Sequence, residues 1–283
     1  MDFKTIGVLG SGAMGSGIAQ LLLQRGYAVR LCDVDAQVLE RGATTIRRRL
    51  DGQVRQSALS ASQRDAADSA LQTTTQLEVA CAVDLVIEAV PERLEAKRAA
   101  FTQLDQAAPP TTVLASNTSG LDIDQLAAAT QRADRVIGLH FFNPPPRMPL
   151  VEIARGRSTS DATFDAVYAL AQRLDKTPIA VANSPGFAVN RILFPMVNEA
   201  IYALAEGVAN AEDIDRAMQL GASHPLGPLA LADFVGLDVT LDILDSFERT
   251  FGNPKYRACP LLREKVARGE LGRKTGRGFF SYS

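Results

Sequence analysis

The apolar run Ile6-Gly7-Val8-Leu9 leads directly into Gly10-Ser11-Gly12-Ala13-Met14-Gly15, and a helical pattern, Ala13–Arg25, follows. This is G-x-G-x-x-G between a strand and a helix, an order that admits few folds. Gly10 permits the tight turn, Gly12 lets a pyrophosphate approach the backbone, and Gly15 lets helix and strand pack closely. The helix start offers unpaired N–H groups and a positive dipole end. Gly10, Ser11, Gly12, Ala13, Met14 and Gly15 are therefore the expected phosphate site. A second apolar run, Val29–Cys32, ends at Asp33, 18 residues after Gly15. An acid there accepts hydrogen bonds from both ribose hydroxyls and repels a 2′-phosphate, and no Arg directly follows. The expected cofactor is NAD rather than NADP.

The rest of the first half fits that frame. Leu85–Ala89, Val113–Ala115 and Val136–Leu139 are short apolar runs flanked by turn residues, as in strands buried on both faces. Helical patterns such as Arg93–Ala107 lie between them, which implies a mostly parallel sheet wrapped by helices. Residues 47–75 are polar and read as a helical excursion between two strands. Near residue 184 the pattern changes. Ser184-Pro185 resembles an N-cap followed by Pro at the first helical position, and helical periodicity runs to about Glu206 with Pro195 inside it. Further helices are expected around 211–220, 228–250 and 258–268. The expected fold is α/β: a Rossmann-type dinucleotide-binding domain over 1–183, then an all-helical C-terminal domain over 184–283.

Composition narrows the partners. The chain has 283 residues, with 46 % hydrophobic and 22 % charged, so it is neither disordered nor fibrous. Its 30 basic and 32 acidic side chains leave a net charge of −2, so no overall positive field holds nucleic acid or an anionic membrane. Glycines interrupt the early uncharged run Thr5–Gln24, and no A-x-A site follows, so neither a transmembrane helix nor a signal peptide is expected. Cys32, Cys81 and Cys259 form no C-x-x-C pair and read as buried, reduced thiols, which points to the cytoplasm. No metal site is expected.

Two histidines are present. His224 lies in the turn-like segment Gly221–Pro228 and reads as a loop residue. His140 ends the run Val136-Ile137-Gly138-Leu139-His140; the chain turns through Asn143-Pro144-Pro145-Pro146 and returns as Leu150-Val151-Glu152-Ile153. If these segments run antiparallel about residue 146, His140 and Glu152 fall opposite each other. A carboxylate in an apolar strand needs a partner, and the imidazole is the obvious one. The pair is either a structural hydrogen bond or a general base oriented by an acid; a strand-end position favours the second. Ser119, in Ser116-Asn117-Thr118-Ser119, and Asn190, about a turn into the expected helix, are each a ligand contact or an ordinary turn, cap or core residue.

Taken together, Gly10–Gly15, Ser116–Ser119, His140-Phe141-Phe142-Asn143-Pro144, Pro185-Gly186-Phe187 with Asn190-Arg191, Gly221–Pro228 and Leu271–Gly276 resemble the L-3-hydroxyacyl-CoA dehydrogenases, 3-hydroxybutyryl-CoA dehydrogenases included, over essentially the whole chain. The resemblance implies an NAD-dependent oxidoreductase of fatty acid metabolism that interconverts L-3-hydroxyacyl-CoA and 3-ketoacyl-CoA. It implies His140 as catalytic base, Glu152 as its partner, and Ser119 and Asn190 as residues positioning the 3-oxygen and thioester. It also implies Asp33, Glu92, Lys97, Asn117, Ser119 and Asn143 as cofactor contacts, and a homodimer formed through the helical domain.

The sequence departs from the family in two places. Ser119-Gly120 stands where Ser-Ser is common, and Arg49 and Gln56 stand where a Ser and a Lys contact CoA in better-known members. The cluster Arg47-Arg48-Arg49, with Arg55, either meets CoA phosphates or is a solvated helix face. An acyl-carrier-protein thioester, a free 3-hydroxy acid or carnitine remain alternative substrates. A non-catalytic NAD-binding structural or sensor protein is the alternative of another class.

Overall fold

A computed structural model describes residues 1–282, in two compact units, Met1–Phe187 and Ala188 onward. The first contains β1 (Thr5–Leu9), α1 (Ala13–Gln24), β2 (Ala28–Cys32), α2 (Ala36–Arg55), α3 (Ala61–Ser69), β3 (Leu71–Thr74), α4 (Leu77–Cys81) and β4 (Leu85–Glu88). It continues with α5 (Leu94–Ala107), β5 (Val113–Ser116), α6 (Ile123–Ala127), β6 (Val136–Phe141), β7 (Leu150–Arg155), α7 (Asp161–Arg173) and β8 (Thr177–Ala182). The eight strands form one sheet in the order β3-β2-β1-β4-β5-β6-β7-β8. All neighbours from β3 to β6 are parallel; β7 reverses against β6, and β8 runs parallel to β7. This is the Rossmann strand order extended by two strands, and it reverses direction of build between β1 and β4, where such sheets bind ligands at their carboxyl ends.

The apolar runs become central strands because both faces of the sheet are covered: β4, β5 and β6 are buried at every residue. Two cores lie within this unit, one containing Ile6, Ile18, Leu22, Leu31, Ile87 and Leu139, the other Leu9, Cys32, Val86, Phe101, Leu114 and Ile123. The helices start on recognisable caps. Asp35 accepts from the N–H groups of Gln37 and Val38 at the head of α2, and Ser60 and Gln63 form a reciprocal capping box on α3. Residues 47–75 thus hold the end of α2, all of α3, and the edge strand β3. Cys32, Cys81 and Cys259 are buried free thiols. Burial, helped by the neighbouring Asp33 carboxylate, pushes the Cys32 thiol up to about 11, so it stays protonated at neutral pH.

The second unit contains α8 (Val189–Ala205), α9 (Ala211–Gly221), α10 (Pro228–Val235), α11 (Leu237–Phe251) and α12 (Pro260–Ala267) around Phe194, Ile201, Leu229, Leu244, Phe247 and Leu262. Two expectations are corrected here. Ser184 is not an N-cap: Ser184–Phe187 closes as a turn, with Phe187 N–H donating to the Ser184 carbonyl at 3.0 Å, and α8 starts after Ala188. Gly186 (φ 74°) and Phe187 (φ 45°) are left-handed, which helix geometry does not allow. The single helix expected over 228–250 is two helices, broken at Gly236, whose φ of 109° no helix accommodates. Pro195 lies inside α8 as expected. Among the described residues, no helix is long and apolar enough to cross a membrane.

Candidate active site

Because β1, β2, β4, β5 and β6 are parallel, their carboxyl ends share one edge of the sheet. The loop Gly10–Gly15 follows β1, Asp33 follows β2, Glu88 ends β4, Ser116–Ser119 ends and follows β5, and His140 is the penultimate residue of β6. All of these belong to the first unit.

The residues present fit a dinucleotide. The first turn of α1 has no side-chain cap, which leaves its N–H groups to an anion. A Cβ built on Gly12 would meet nothing within 4 Å, so the space before the loop is open. The Gly15 Cβ would instead collide with the Gly10 carbonyl oxygen, so this glycine is needed for the turn itself. Gly12 has an ordinary φ of −64°, so Gly12→Ala should fold and melt like the parent. Its added methyl lies where the pyrophosphate approaches, and NADH affinity should fall about tenfold or more. Fluorescence titration beside a thermal melt checks both; parental affinity would detach the loop from cofactor binding.

Asp33 is held in place by Ser11, whose backbone N–H and hydroxyl donate to Oδ2 at 2.8 and 2.9 Å. Val34, 91 % exposed, follows it, and then Asp35, so no cation lies next in sequence to balance a ribose phosphate.

On β6 and β7 the antiparallel register pairs His140 with Glu152. Nδ1 of His140 lies 2.8 Å from Oε2 of Glu152, with the imidazole 6 % exposed and the carboxylate fully buried. The rings of Phe142 and Phe187 flank the imidazole, with centroids 4.4 and 5.9 Å away. Lys176, buried between α7 and β8, donates to the carbonyls of Pro145 (2.7 Å) and Met148 (2.9 Å) and so clamps the turn that reverses the chain. Burial, and after it the nearby Arg25 charge, lowers the pKa of this ammonium.

The other expected residues sort by place. Glu92 Oε1 accepts from Thr118 Oγ1 (2.5 Å), Ser119 N–H (2.8 Å) and Ser119 Oγ (3.0 Å), so Ser119 and Glu92 are brought together. Lys97 is buried; its ammonium donates to Glu88 at 2.7 Å and to the Val90 carbonyl at 3.1 Å, and lies 3.3 Å from Glu92. Its part at any ligand is therefore through Glu92. Asn117 Oδ1 accepts from Phe141 N–H at 2.9 Å, tying the ends of β5 and β6. Asn143 is exposed in the turn after β6. Asn190 is the second residue of α8, in the other unit, so the cost of Asn inside a helix does not bear on it. Gly120 approaches Gly186 so closely that a Cβ would strike the Gly186 nitrogen, which excludes a Ser there without a backbone shift. In the basic cluster Arg47 is paired with Asp68 at 2.8 Å, while Arg48, Arg49 and Arg55 are exposed.

Sequence reasoning passed over Glu88, though it ends an apolar strand just as Glu152 interrupts one. The argument that singles out Glu152, that a carboxylate among apolar residues needs a partner, applies equally to Leu85-Val86-Ile87-Glu88.

Comparison with known proteins gives the family. Residues 5–184 match the family model described as 3-hydroxyacyl-CoA dehydrogenase, NAD binding domain, and 186–282 match 3-hydroxyacyl-CoA dehydrogenase, C-terminal domain. The probable 3-hydroxybutyryl-CoA dehydrogenase of Bacillus subtilis (strain 168) is 47 % identical over 282 residues, covering 100 % of this chain and 98 % of that protein. The 3-hydroxybutyryl-CoA dehydrogenase of Bradyrhizobium diazoefficiens is 47 % identical over 279 residues, 99 % of this chain and 95 % of that one. The crystal structure of (S)-3-hydroxybutyryl-CoA dehydrogenase from Ralstonia eutropha superposes with a TM-score of 0.97 at 46 % identity, covering 100 % of both chains. With a dinucleotide loop of the required form and relatives matched over the full length of the chain, the chain belongs to the NAD-binding 3-hydroxyacyl-CoA dehydrogenase family.

Proposed function

We propose that this chain interconverts an L-3-hydroxyacyl-CoA and the corresponding 3-ketoacyl-CoA, with His140 as the proton-transfer residue and Glu152 as its partner. The 2.8 Å contact between Nδ1 and Glu152, at the same sheet edge as the dinucleotide loop, is the observation that carries this reading. A carboxylate only accepts, so Nδ1 bears the proton and Nε2 keeps its lone pair. In the oxidising direction Nε2 takes the proton of the 3-hydroxyl as hydride departs from C3, and Glu152 stabilises the imidazolium that results. In the reducing direction His140 returns that proton to the oxygen of the 3-ketone. NAD, when bound, supplies the hydride acceptor or, reduced, the donor. Gly10–Gly15 hold its pyrophosphate, Asp33 its ribose, and Glu92, Ser119 and Asn143 the nicotinamide half. Ser119 and Asn190 are assigned to the substrate's 3-oxygen and thioester.

A homodimer formed through the helical unit belongs to the same reading, on the family resemblance alone. The carrier is assigned as CoA on the names of the relatives; of the basic cluster, Arg48, Arg49 and Arg55 remain for its phosphates.

The decisive assay follows NADH absorbance with acetoacetyl-CoA, a 3-ketoacyl carrier-protein thioester, acetoacetate and dehydrocarnitine in parallel. Oxidation fastest with the CoA thioester is expected. A faster carrier-protein thioester or free acid would move the substrate assignment to that compound. NADH binding without turnover of any of them would leave a non-catalytic NAD-binding protein.

A further inference from the structure

Glu88 is the fully buried last residue of β4, and none of the roles above includes it. Its carboxylate accepts three hydrogen bonds. Oε1 accepts from Lys97 Nζ and from Val90 N–H, both at 2.7 Å, and Oε2 accepts from Ser116 Oγ at 2.6 Å. The Lys97 ammonium has three hydrogens, and three acceptors surround it: Glu88, the Val90 carbonyl and Glu92. Two of these are fixed by the sheet and the chain just after it. The third, Glu92, is 42 % exposed and would otherwise explore solvent rotamers. Held through Oε2 by Lys97, Glu92 turns Oε1 toward Thr118 and Ser119, where it receives both the N–H and the hydroxyl of Ser119.

We propose that Glu88 is a positioning residue for Ser119, acting through Lys97 and Glu92. The inference rests on the reading of Ser119 as a contact to the reacting groups. The reasoning is one of shared charge. Glu88 and Glu92 divide a single ammonium; Lys97 and Glu88 are closed to water, where such interactions are strong, while Glu92 is partly in solvent. Without the Glu88 charge, Lys97 has one anionic partner left and is drawn onto it. Glu92 then shifts relative to Ser119, and a misplacement of about 1 Å near a reacting centre can cost about 10²-fold in rate. A merely structural ion pair makes no such link: its loss would lower stability and leave turnover per folded molecule intact.

Glu88→Gln keeps the shape and removes the charge. Turnover with acetoacetyl-CoA should fall by about 10–100-fold with KM changed much less. Ser116→Ala removes one donor to Glu88 without leaving a charge unpaired, so it tests the same link should the first variant not fold; a smaller fall in kcat is expected. In a Glu92→Gln background neither substitution should cost more, because the path is already cut. In the free protein, hydrogen exchange at the Ser119 amide should speed by about tenfold in Glu88→Gln while amides of α2 stay as before. Parental kcat in both Glu88→Gln and Ser116→Ala, losses additive with Glu92→Gln, or unchanged Ser119 exchange would overturn the proposal. Ser119→Ala separates the two levels. If it is slow while both variants turn over normally, only this inference fails; if it is itself unimpaired, the reading of Ser119 fails and takes the inference with it.

Discussion

Replacing His140 by Asn should reduce turnover by about 10²–10⁴-fold, the usual contribution of a positioned proton-transfer group, while NADH binds as before. Asn is smaller, but its amide can still donate to Glu152 in place of Nδ1, so β6 and β7 should keep their pairing, while it offers no nitrogen that can take a proton near neutral pH. The binding loop is on a different strand and makes no use of the imidazole. The check is kcat with acetoacetyl-CoA beside an NADH titration of the same preparation. Near-parental kcat would show that proton transfer is done elsewhere; loss of NADH binding in step with rate would make His140 a binding residue instead.

Discrimination between NADH and NADPH should be nearly as large, about 10²–10³-fold in kcat/KM, because a 2′-phosphate both loses the hydrogen bonds Asp33 accepts from a ribose and meets its charge. The Ser11 N–H and hydroxyl hold that carboxylate in one orientation, so it cannot easily swing aside. Asp33→Ala should therefore weaken NADH, which loses its ribose partner, and improve NADPH, which no longer meets a carboxylate, closing the gap from both sides. Initial rates with both cofactors decide it. Equal rates in the parent enzyme would mean that Asp33 does not face the ribose.

The strands that could be read in the sequence are those buried on both faces. Ile6–Leu9, Val113–Ala115 and Val136–Leu139 stand out because nothing polar is tolerated there. The edges could not be read in this way. Leu71-Gln72-Thr73-Thr74 has a single apolar residue because β3 is covered only in part, and Thr177-Pro178 at the start of β8 reads as a turn. Pro is tolerated there because β8 has no neighbour on its outer side. Ser184-Pro185 has the form of a helix start, but the chain first makes a left-handed turn at Gly186 and Phe187, and residue type alone does not separate the two. The His140–Glu152 pair was legible because a turn centred on residue 146 fixes the register by counting. The Glu88–Lys97–Glu92 group was not, because its members meet through the crossover from β4 into α5, whose geometry no spacing rule supplies.

The reversal of the chain after β6 has a consequence for inheritance. In a purely parallel sheet, neighbouring strands are separated by a whole crossover helix, so a histidine and its acid would be contributed by distant segments and could drift apart independently. Here a hairpin places both within 13 consecutive residues, clamped at its bend by one lysine. Any change that slips this hairpin by a single residue turns the acid to the opposite face of the sheet. Under the roles proposed for the pair, the spacing between the two residues matters as much as their identity.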